Sequence, residues 1–431
     1  MRTTLLEIIK RAFVFSLLLI VVRGPALAQN PGQNIAPVIT VDHGPNAPAQ
    51  QKKPYVVLIS LDGFRYDYAQ RYGATNLQAL AARGASAPQG MIPSYPSVTF
   101  PNHLSIVTGL YPEHHGIVAN SFYDPVRKQR YTIADNDGSW FRGIPLWVLA
   151  ERQGMRAACF FWFGSEAEID GGRPSYYLKF DEKIPDNKRI DQIVAWLQLP
   201  EDRRPHFITL YFGSVDHFGH EFGPESPQTA EAVRHVDESI GRLAKELTKL
   251  PLAIDLFVVS DHGMATVEGD WINLDRYADL SDFETSGSLL YPKREDAAEK
   301  AYQQLKGASD KFMVYRRSAF PPELHYDRNP RAGDPIVVAA GPYAIRAHAP
   351  RNSSDEKPPP KGNHGYDPRG MMAMRASFYA AGPDIRPGVT VAPFENVNIY
   401  PLIAKILGLR NGPVDGDLKV LESILNVRAG N

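Results

Sequence analysis

Four apolar runs punctuate the chain, and each closes on a turn rich in glycine or acid. Tyr55 to Leu61 (YVVLISL) is apolar and β-branched along nearly its whole length and ends at Asp62-Gly63, the pattern of a strand buried on both faces of a parallel sheet. Phe207 to Phe212 (FITLYF) leads to Gly213-Ser214-Val215-Asp216, Leu256 to Ser260 (LFVVS) to Asp261-His262-Gly263, and Ala376 to Ala380 (ASFYA) to Gly382-Pro383. Segments with helical spacing lie between them, among them Leu77 to Arg83, Arg189 to Leu197 and Ala230 to Leu247. Strands alternating with helices predict an α/β fold with a mostly parallel central sheet flanked by helices.

From about Asp275 to Pro360 this rhythm breaks. Ser288 to Lys293, the helical run Arg294 to Leu305, then Phe312 to Arg316 and Ile336 to Ala339 read as a small α+β insertion. Asn352 to Lys361, with three consecutive prolines, reads as an exposed loop that returns to the main domain, here taken as residues 54–431. A second irregularity is IPSYPSVTFPNHLSIVTGLYPEHHGIVAN, Ile92 to Asn120, where a Pro-broken loop meets a helical run at Leu104 to Val107. Thr99 falls at the start of that helix with Pro101 in its first turn. The unpaired N–H groups expected there favour an anion beside the hydroxyl. The simplest role for such a residue is capping.

A formal net charge of -1 over 431 residues offers no basic surface for a nucleic-acid duplex. The first residues combine a basic start, an apolar run from Ala12 to Val22, and Ala26-Leu27-Ala28 before Gln29, the layout of a signal peptide over 1–28 that directs export, to a periplasm or out of the cell. A membrane anchor is the rival reading, although the apolar run is short for a span. Residues 29–53, rich in Pro, Gln, Asn and Ala, read as a flexible leader. The sole cysteine, Cys159, cannot form an internal bridge and sits in an apolar setting that predicts a buried structural thiol.

The acids after the strands gain meaning from their neighbours. Asp216 and His220 form D-x3-H, Asp261 and His262 are adjacent, His364 lies in GNHGYD, and Asp62 follows the first run. Three carboxylates and three imidazoles form a donor set suited to zinc, with manganese or iron as alternatives. Two ions can be assembled, one on Asp216, His220 and His364, the other on Asp62, Asp261, His262 and the Thr99 hydroxyl. Such a pair clamps the attacking and leaving oxygens of an in-line displacement at phosphorus, and coordination turns a poorly nucleophilic alcohol into an attacking group. His103, His114, His115, His206 and His217 read as surface or satisfied core histidines.

The motifs LDGFRYDY, PSYPSVTFPNHLSIVTGLYPEHHGIVAN, DHFGHEFGP, SDHGM and NHGYD resemble those of the nucleotide pyrophosphatase/phosphodiesterases of the alkaline phosphatase superfamily, over about Tyr55 to Leu409. The resemblance implies an alkaline phosphatase-like core, two zinc ions, a threonine nucleophile at Thr99, and Asn120 as hydrogen-bond donor to the phosphoryl oxygen. It further implies a small-molecule nucleotide substrate whose base lies between Phe100 and Tyr177. A phosphate monoesterase needs extra cationic groups, and no Lys/Arg pair stands in the motifs near Thr99 or Tyr177. A lipid or choline phosphodiesterase would use the same metals with another pocket. An inactive binding protein with structural metals is the reading from outside catalysis, and its closed four-ligand sites fit this donor set poorly.

Overall fold

The computed structural model describes residues 37–350 and 352–426. The leader segment expected over 1–28 and the first part of 29–53 therefore lie outside the described residues. A nine-stranded sheet runs through the core: β1 (Ile39–Thr40), β2 (Tyr55–Leu61), β3 (Ala85–Ser86), β4 (Ala157–Phe160), β5 (Tyr176–Tyr177), β6 (Phe207–Phe212), β7 (Ile254–Val259), β8 (Phe378–Ala381) and β9 (Val389–Thr390). Their spatial order is β1-β5-β4-β6-β2-β7-β8-β3-β9.

The five strands from β5 to β7 are mutually parallel, and every residue of β2 is buried, as its unbroken apolar sequence requires of a strand covered on both faces. Leu58 and Ile59 are completely enclosed, and each contributes about 1.5–3 kcal/mol on the usual transfer scale. β8 runs antiparallel to β7, so the Gly382-Pro383 end of that run points away from the edge where β2, β6 and β7 finish. Cys159 is fully buried in β4, paired in register with Thr209.

Helices cover both faces. Asp186–Leu197 and Pro227–Leu247 extend the predicted runs toward their N-termini, the second capped by the Ser226 side chain on the Thr229 N–H. Asp237 of that long helix accepts hydrogen bonds from the Asn76 and Leu77 N–H groups at 3.0 and 2.8 Å, which satisfies the otherwise open start of helix Thr75–Arg83.

Within residues 275–360 two antiparallel hairpins flank helix Ala297–Leu305: Phe283–Ser286 with Leu289–Pro292, and Phe312–Tyr315 with Ile336–Ala339. They share an apolar cluster that includes Leu274, Leu290, Leu305 and Phe312. Phe283–Ser286 is missing from the sequence reading because its half-buried Glu284, Thr285 and Ser286 carry no apolar signal.

Candidate active site

Three strand ends deliver the carboxylates to one edge of the sheet. Asp62 follows β2 directly, Asp261 comes shortly after β7, and Asp216 sits in the first turn of helix Ser214–Phe222, which begins just past β6. Four residues on, His220 lies on the same helix face, as an α-helix dictates. Gly63, with φ +65°, lets Asp216 approach closely: a Cβ at this position would stand 2.9 Å from the Asp216 Cα and Cβ. His364 arrives from far along the chain on a two-stranded ribbon, Gly362–Asn363 paired with Ala265–Thr266, and its ring stacks on His262 at 3.6 Å between centroids.

The ligand atoms converge in two groups. Those of Asp216, His220 and His364 lie within 4.8 Å of one another, and so do those of Asp62, Asp216 and His262. Asp216 thus belongs to both. Asp261 joins the second group through His262, its Oδ2 standing 3.0 Å from Nε2, and its Oδ1 accepts the Gly63 N–H at 3.1 Å.

All three histidines are oriented alike. Nδ1 of His220, His262 and His364 faces the carbonyl of Gly362, Gly263 and Ser97 at 2.8, 2.9 and 2.9 Å. With Nδ1 donating there, each Nε2 points into the cluster and can ligate in the neutral form, the outer-shell arrangement of histidines that ligate metals. Nε2 of His220 and Nε2 of His364 then face each other at 3.1 Å, two nitrogens that a shared proton or a bound cation reconciles. One buried oxygen on each of Asp62, Asp216 and Asp261 also lacks a hydrogen-bond partner. The residues present fit divalent cations.

Electrostatics agree. Burial, reinforced by Asp261 and Asp216, pushes the Asp62 carboxyl well above the carboxylate range. Burial also raises Asp216, and it holds His364, beside His262 and His220, well below the ordinary imidazole value. Burial raises Asp261 as well, but the His262 and His103 imidazoles outweigh it and bring it below its usual range. Among the described residues, the ion-pair partners of these three carboxylates are histidines only.

Thr99 is the first residue of helix Thr99–Thr108, with Val98 at the cap position. Its hydroxyl does not cap; Oγ1 lies 3.3 Å from His262 Nε2. Asn120 Oδ1 accepts the Phe100 N–H at 2.9 Å, so that backbone donor, expected to face an arriving anion, is already engaged, and the Asn120 amide nitrogen is left to take its place.

Phe100 borders a hollow of about 120 Å³ together with Phe161, Trp162, Phe163 and Phe180. Tyr177 is not brought there: it is 9% exposed in β5, paired in register with Ile39 and Cys159, and belongs to the main core. A strand residue flanked by two partners has no freedom to reach Phe100. Phe180, past the end of β5 and 53% exposed, lines that hollow instead. Its signal was a large aromatic stranded in the polar run Lys179, Asp181 and Glu182.

Two supporting residues also escaped the sequence reading. Tyr211 donates from its hydroxyl to Asp62 Oδ2 at 2.6 Å. His103 spans the Thr99 carbonyl at 2.8 Å and the Ser60 hydroxyl at 2.8 Å, with Nδ1 3.5 Å from Asp261 Oδ2. A second hollow of about 370 Å³ opens on the side of Asn120 and His364. Among the described residues, neither hollow is lined by Lys or Arg.

An α/β sheet with a carboxylate-imidazole cluster and a buried alcohol at its carboxyl edge defines a metal-dependent hydrolase of phosphate esters, and comparison with known proteins fixes the family. The model of the type I phosphodiesterase/nucleotide pyrophosphatase family matches residues 56–367. Human ectonucleotide pyrophosphatase/phosphodiesterase family member 7 is 34% identical over 94% of this chain and 91% of its own length. An uncharacterized pyrophosphatase/phosphodiesterase of Schizosaccharomyces pombe is 36% identical over 84% of this chain and 78% of its own. Human member 1 is 33% identical over 88% of this chain, which spans only 43% of that protein. Among solved structures, murine ectonucleotide pyrophosphatase/phosphodiesterase 5, an inactive threonine-to-alanine variant in complex with AMP, superposes with a TM-score of 0.80 at 29% identity, covering 87% of this chain and 100% of that one. The chain belongs to the type I phosphodiesterase/nucleotide pyrophosphatase family and is an enzyme of this kind. Among the described residues, no helix is long and apolar enough to cross a membrane.

Proposed function

We propose that this enzyme hydrolyses nucleotide phosphodiesters and pyrophosphates to nucleoside 5'-monophosphates, through a covalent bond between Thr99 and phosphorus at a site for two zinc ions. The observation that carries this reading is the 3.3 Å approach of Thr99 Oγ1 to His262 Nε2 inside the buried cluster. That a structural neighbour is inactive with one threonine replaced by alanine, and binds AMP, supports the same assignment. Asp216, His220 and His364 would hold one ion, and Asp62, Asp261 and His262, with Asp216 alongside, the other. When bound, the ions supply positive charge that lowers the pKa of the Thr99 alcohol and stabilises the leaving oxygen.

Thr99 gives its hydroxyl proton to solvent, Oγ1 attacks phosphorus in line, and the bond to the leaving oxygen breaks on the far side with its electron pair kept by that oxygen. Asn120 holds a non-bridging oxygen through its amide nitrogen, a preorganised dipole aimed at charge that grows in the transition state. Phe100 and Phe180 flank the base, whose stacking on each ring contributes about 1–3 kcal/mol. Water then attacks from the vacated side and loses a proton, the Thr99–phosphorus bond breaks, Thr99 Oγ1 takes a proton back, and the monophosphate leaves. Export in front of this chemistry is assigned from Met1 to Ala28, which fits relatives whose names carry the prefix ecto.

A second reading has one observation in its favour. The Phe100 hollow joins aromatic rings to the carboxylates of Asp135 and Glu166, a combination that also suits a quaternary ammonium such as choline. The test of the main reading is Thr99→Ala assayed on the nitrophenyl ester of AMP and on a nitrophenyl choline phosphodiester. The variant is expected to fold and bind zinc yet lose at least about a thousandfold in turnover, the scale of covalent and metal-assisted catalysis together. Near-normal turnover would remove Thr99 from the mechanism, and faster wild-type cleavage of the choline ester would favour the second reading.

A further inference from the structure

The hollow on the His364 side has no assigned occupant, and the following inference rests on the phosphodiesterase reading above. Its inner edge is Asn120 and His364, so it opens directly onto the cluster, on the side of the Asp216, His220 and His364 group. Asn120 also ties this hollow to the one that Phe100 borders, since its Oδ1 accepts the Phe100 N–H at 2.9 Å. A diester lodged with one arm against Phe100 thus extends its second arm toward His364.

The outer wall is the tip of hairpin Phe283–Pro292, Ser286-Gly287-Ser288, where Gly287 at φ +58° turns the chain. This tip is fastened to the site. The Ser286 hydroxyl donates to the Ser121 carbonyl at 3.0 Å, next to Asn120, and Arg130 donates to the Thr285 carbonyl at 2.7 Å while pairing with Glu284 at 2.6 Å. The hairpin therefore presents a held surface to whatever enters.

Its lining is hydroxyl and amide over an apolar floor. Ser121, Ser288, Tyr343, Asn363 and Tyr366 face the space, and the Tyr366 hydroxyl, in a residue 4% exposed, makes no well-formed hydrogen bond with the protein, the Asn363 side chain being beside it. Val98, Ile336 and Val337 contribute the apolar part. No Lys or Arg is among the described lining residues. A departing pyrophosphate carries several negative charges and calls for guanidinium or ammonium groups. A sugar or nucleoside carries hydroxyls over apolar ring faces and calls for this lining. The volume, about 370 Å³, is within the range of small-ligand sites, roughly 300–1,000 Å³.

We propose that this hollow is the leaving-group subsite and that it selects substrates whose departing half ends in an uncharged polyhydroxyl group, a sugar or a second nucleoside, over those that release pyrophosphate. Ser288 and Tyr343 are positioned to recognise that group and touch none of the metal-ligating side chains.

Four substrates with a common AMP half test this: the nitrophenyl ester of AMP, ADP-glucose, diadenosine diphosphate and ATP. Wild-type kcat/KM is expected to be at least about tenfold higher for ADP-glucose or diadenosine diphosphate than for ATP, the discrimination that a few hydrogen bonds supply. Ser288→Trp, which narrows the hollow from the hairpin tip, is expected to lower kcat/KM for the sugar or dinucleoside substrate about tenfold or more relative to its effect on the nitrophenyl ester, whose departing group is smaller. Tyr343→Phe, which removes only a hydroxyl, should shift the same substrates in the same direction by about threefold to tenfold, chiefly in KM. Whichever of the two substrates responds identifies the occupant. A wild-type preference for ATP, or variants that lower all four substrates alike or none, would overturn the subsite while nitrophenyl turnover kept the phosphodiesterase reading intact. Absence of nitrophenyl turnover in the wild type would overturn both.

Discussion

Tyr211→Phe isolates one hydrogen bond that the metal site requires. The Tyr211 hydroxyl donates to Asp62 Oδ2 at 2.6 Å in a buried setting, while Oδ1 of the same carboxylate accepts no hydrogen bond and faces His262 Nε2 at 3.5 Å. The phenyl ring packs edge-on against His103 and Phe163, and phenylalanine preserves both contacts, so the perturbation is confined to the hydroxyl. A hydrogen bond to a buried charged group contributes about 1.5–3 kcal/mol. At 1.36 kcal/mol per factor of ten, that corresponds to a loss of about 10- to 100-fold in affinity for the ion that Asp62 holds, the usual scale for an outer-shell partner. Zinc titration against a competing chelator should show one of two binding phases weakened by that factor. The phase assigned to Asp216, His220 and His364 should keep its affinity. Affinity unchanged within about threefold in both phases would refute the reasoning, because a carboxylate that needs no partner is not a ligand positioned by Tyr211.

Two further perturbations probe other parts of the account. Phe180→Ala should raise KM for AMP esters about tenfold or more through lost stacking, with little change in Tm because the ring is half exposed, whereas Tyr177→Phe should leave KM unaltered; steady-state kinetics on the two variants decides between the residues. Burial pushes the His115 imidazole down to about 3, and its Nδ1 accepts the Ile117 N–H while Nε2 faces the Ser105 hydroxyl. Because the unfolded chain takes up this proton near pH 6.5 and the folded one does not until about 3, the stability it contributes is present above 6.5 and is lost as pH falls. Wild type should lose about 2 kcal/mol more than His115→Gln between pH 7 and pH 5 in urea unfolding, and equal losses would remove His115 from the acid response.

How far the sequence speaks for the structure differs between elements. β2, β6 and β7 are legible because strands buried on both faces must be apolar throughout, and the acids that follow them are legible because parallel strands end together at one edge. The direction of β8 is not: its composition, FYAA, suits either sense, and only its pairing with β7 reveals the reversal. The two-residue strands β1, β3, β5 and β9 carry no periodicity to read. In the site, Asp216 and His220 announce themselves by helical spacing, while His364 depends on the ribbon that carries it to His262. Tyr177 and Phe180 differ by three positions in sequence, and their fates are set by where β5 stops. Tyr211 and His103 read as ordinary core residues because their roles exist only once Asp62, Asp261 and Thr99 have been brought to them.

The central claim is that two divalent cations at the carboxyl edge of the sheet activate Thr99. Crystals of the purified enzyme, measured with anomalous scattering on both sides of the zinc absorption edge, test it most directly. Two peaks roughly 3.5–4 Å apart are predicted, one among Asp216, His220 and His364, the other among Asp62, Asp261 and His262 with Thr99 Oγ1 in its coordination sphere. A single peak, peaks away from these side chains, or a Thr99 hydroxyl turned out of reach of both would contradict it.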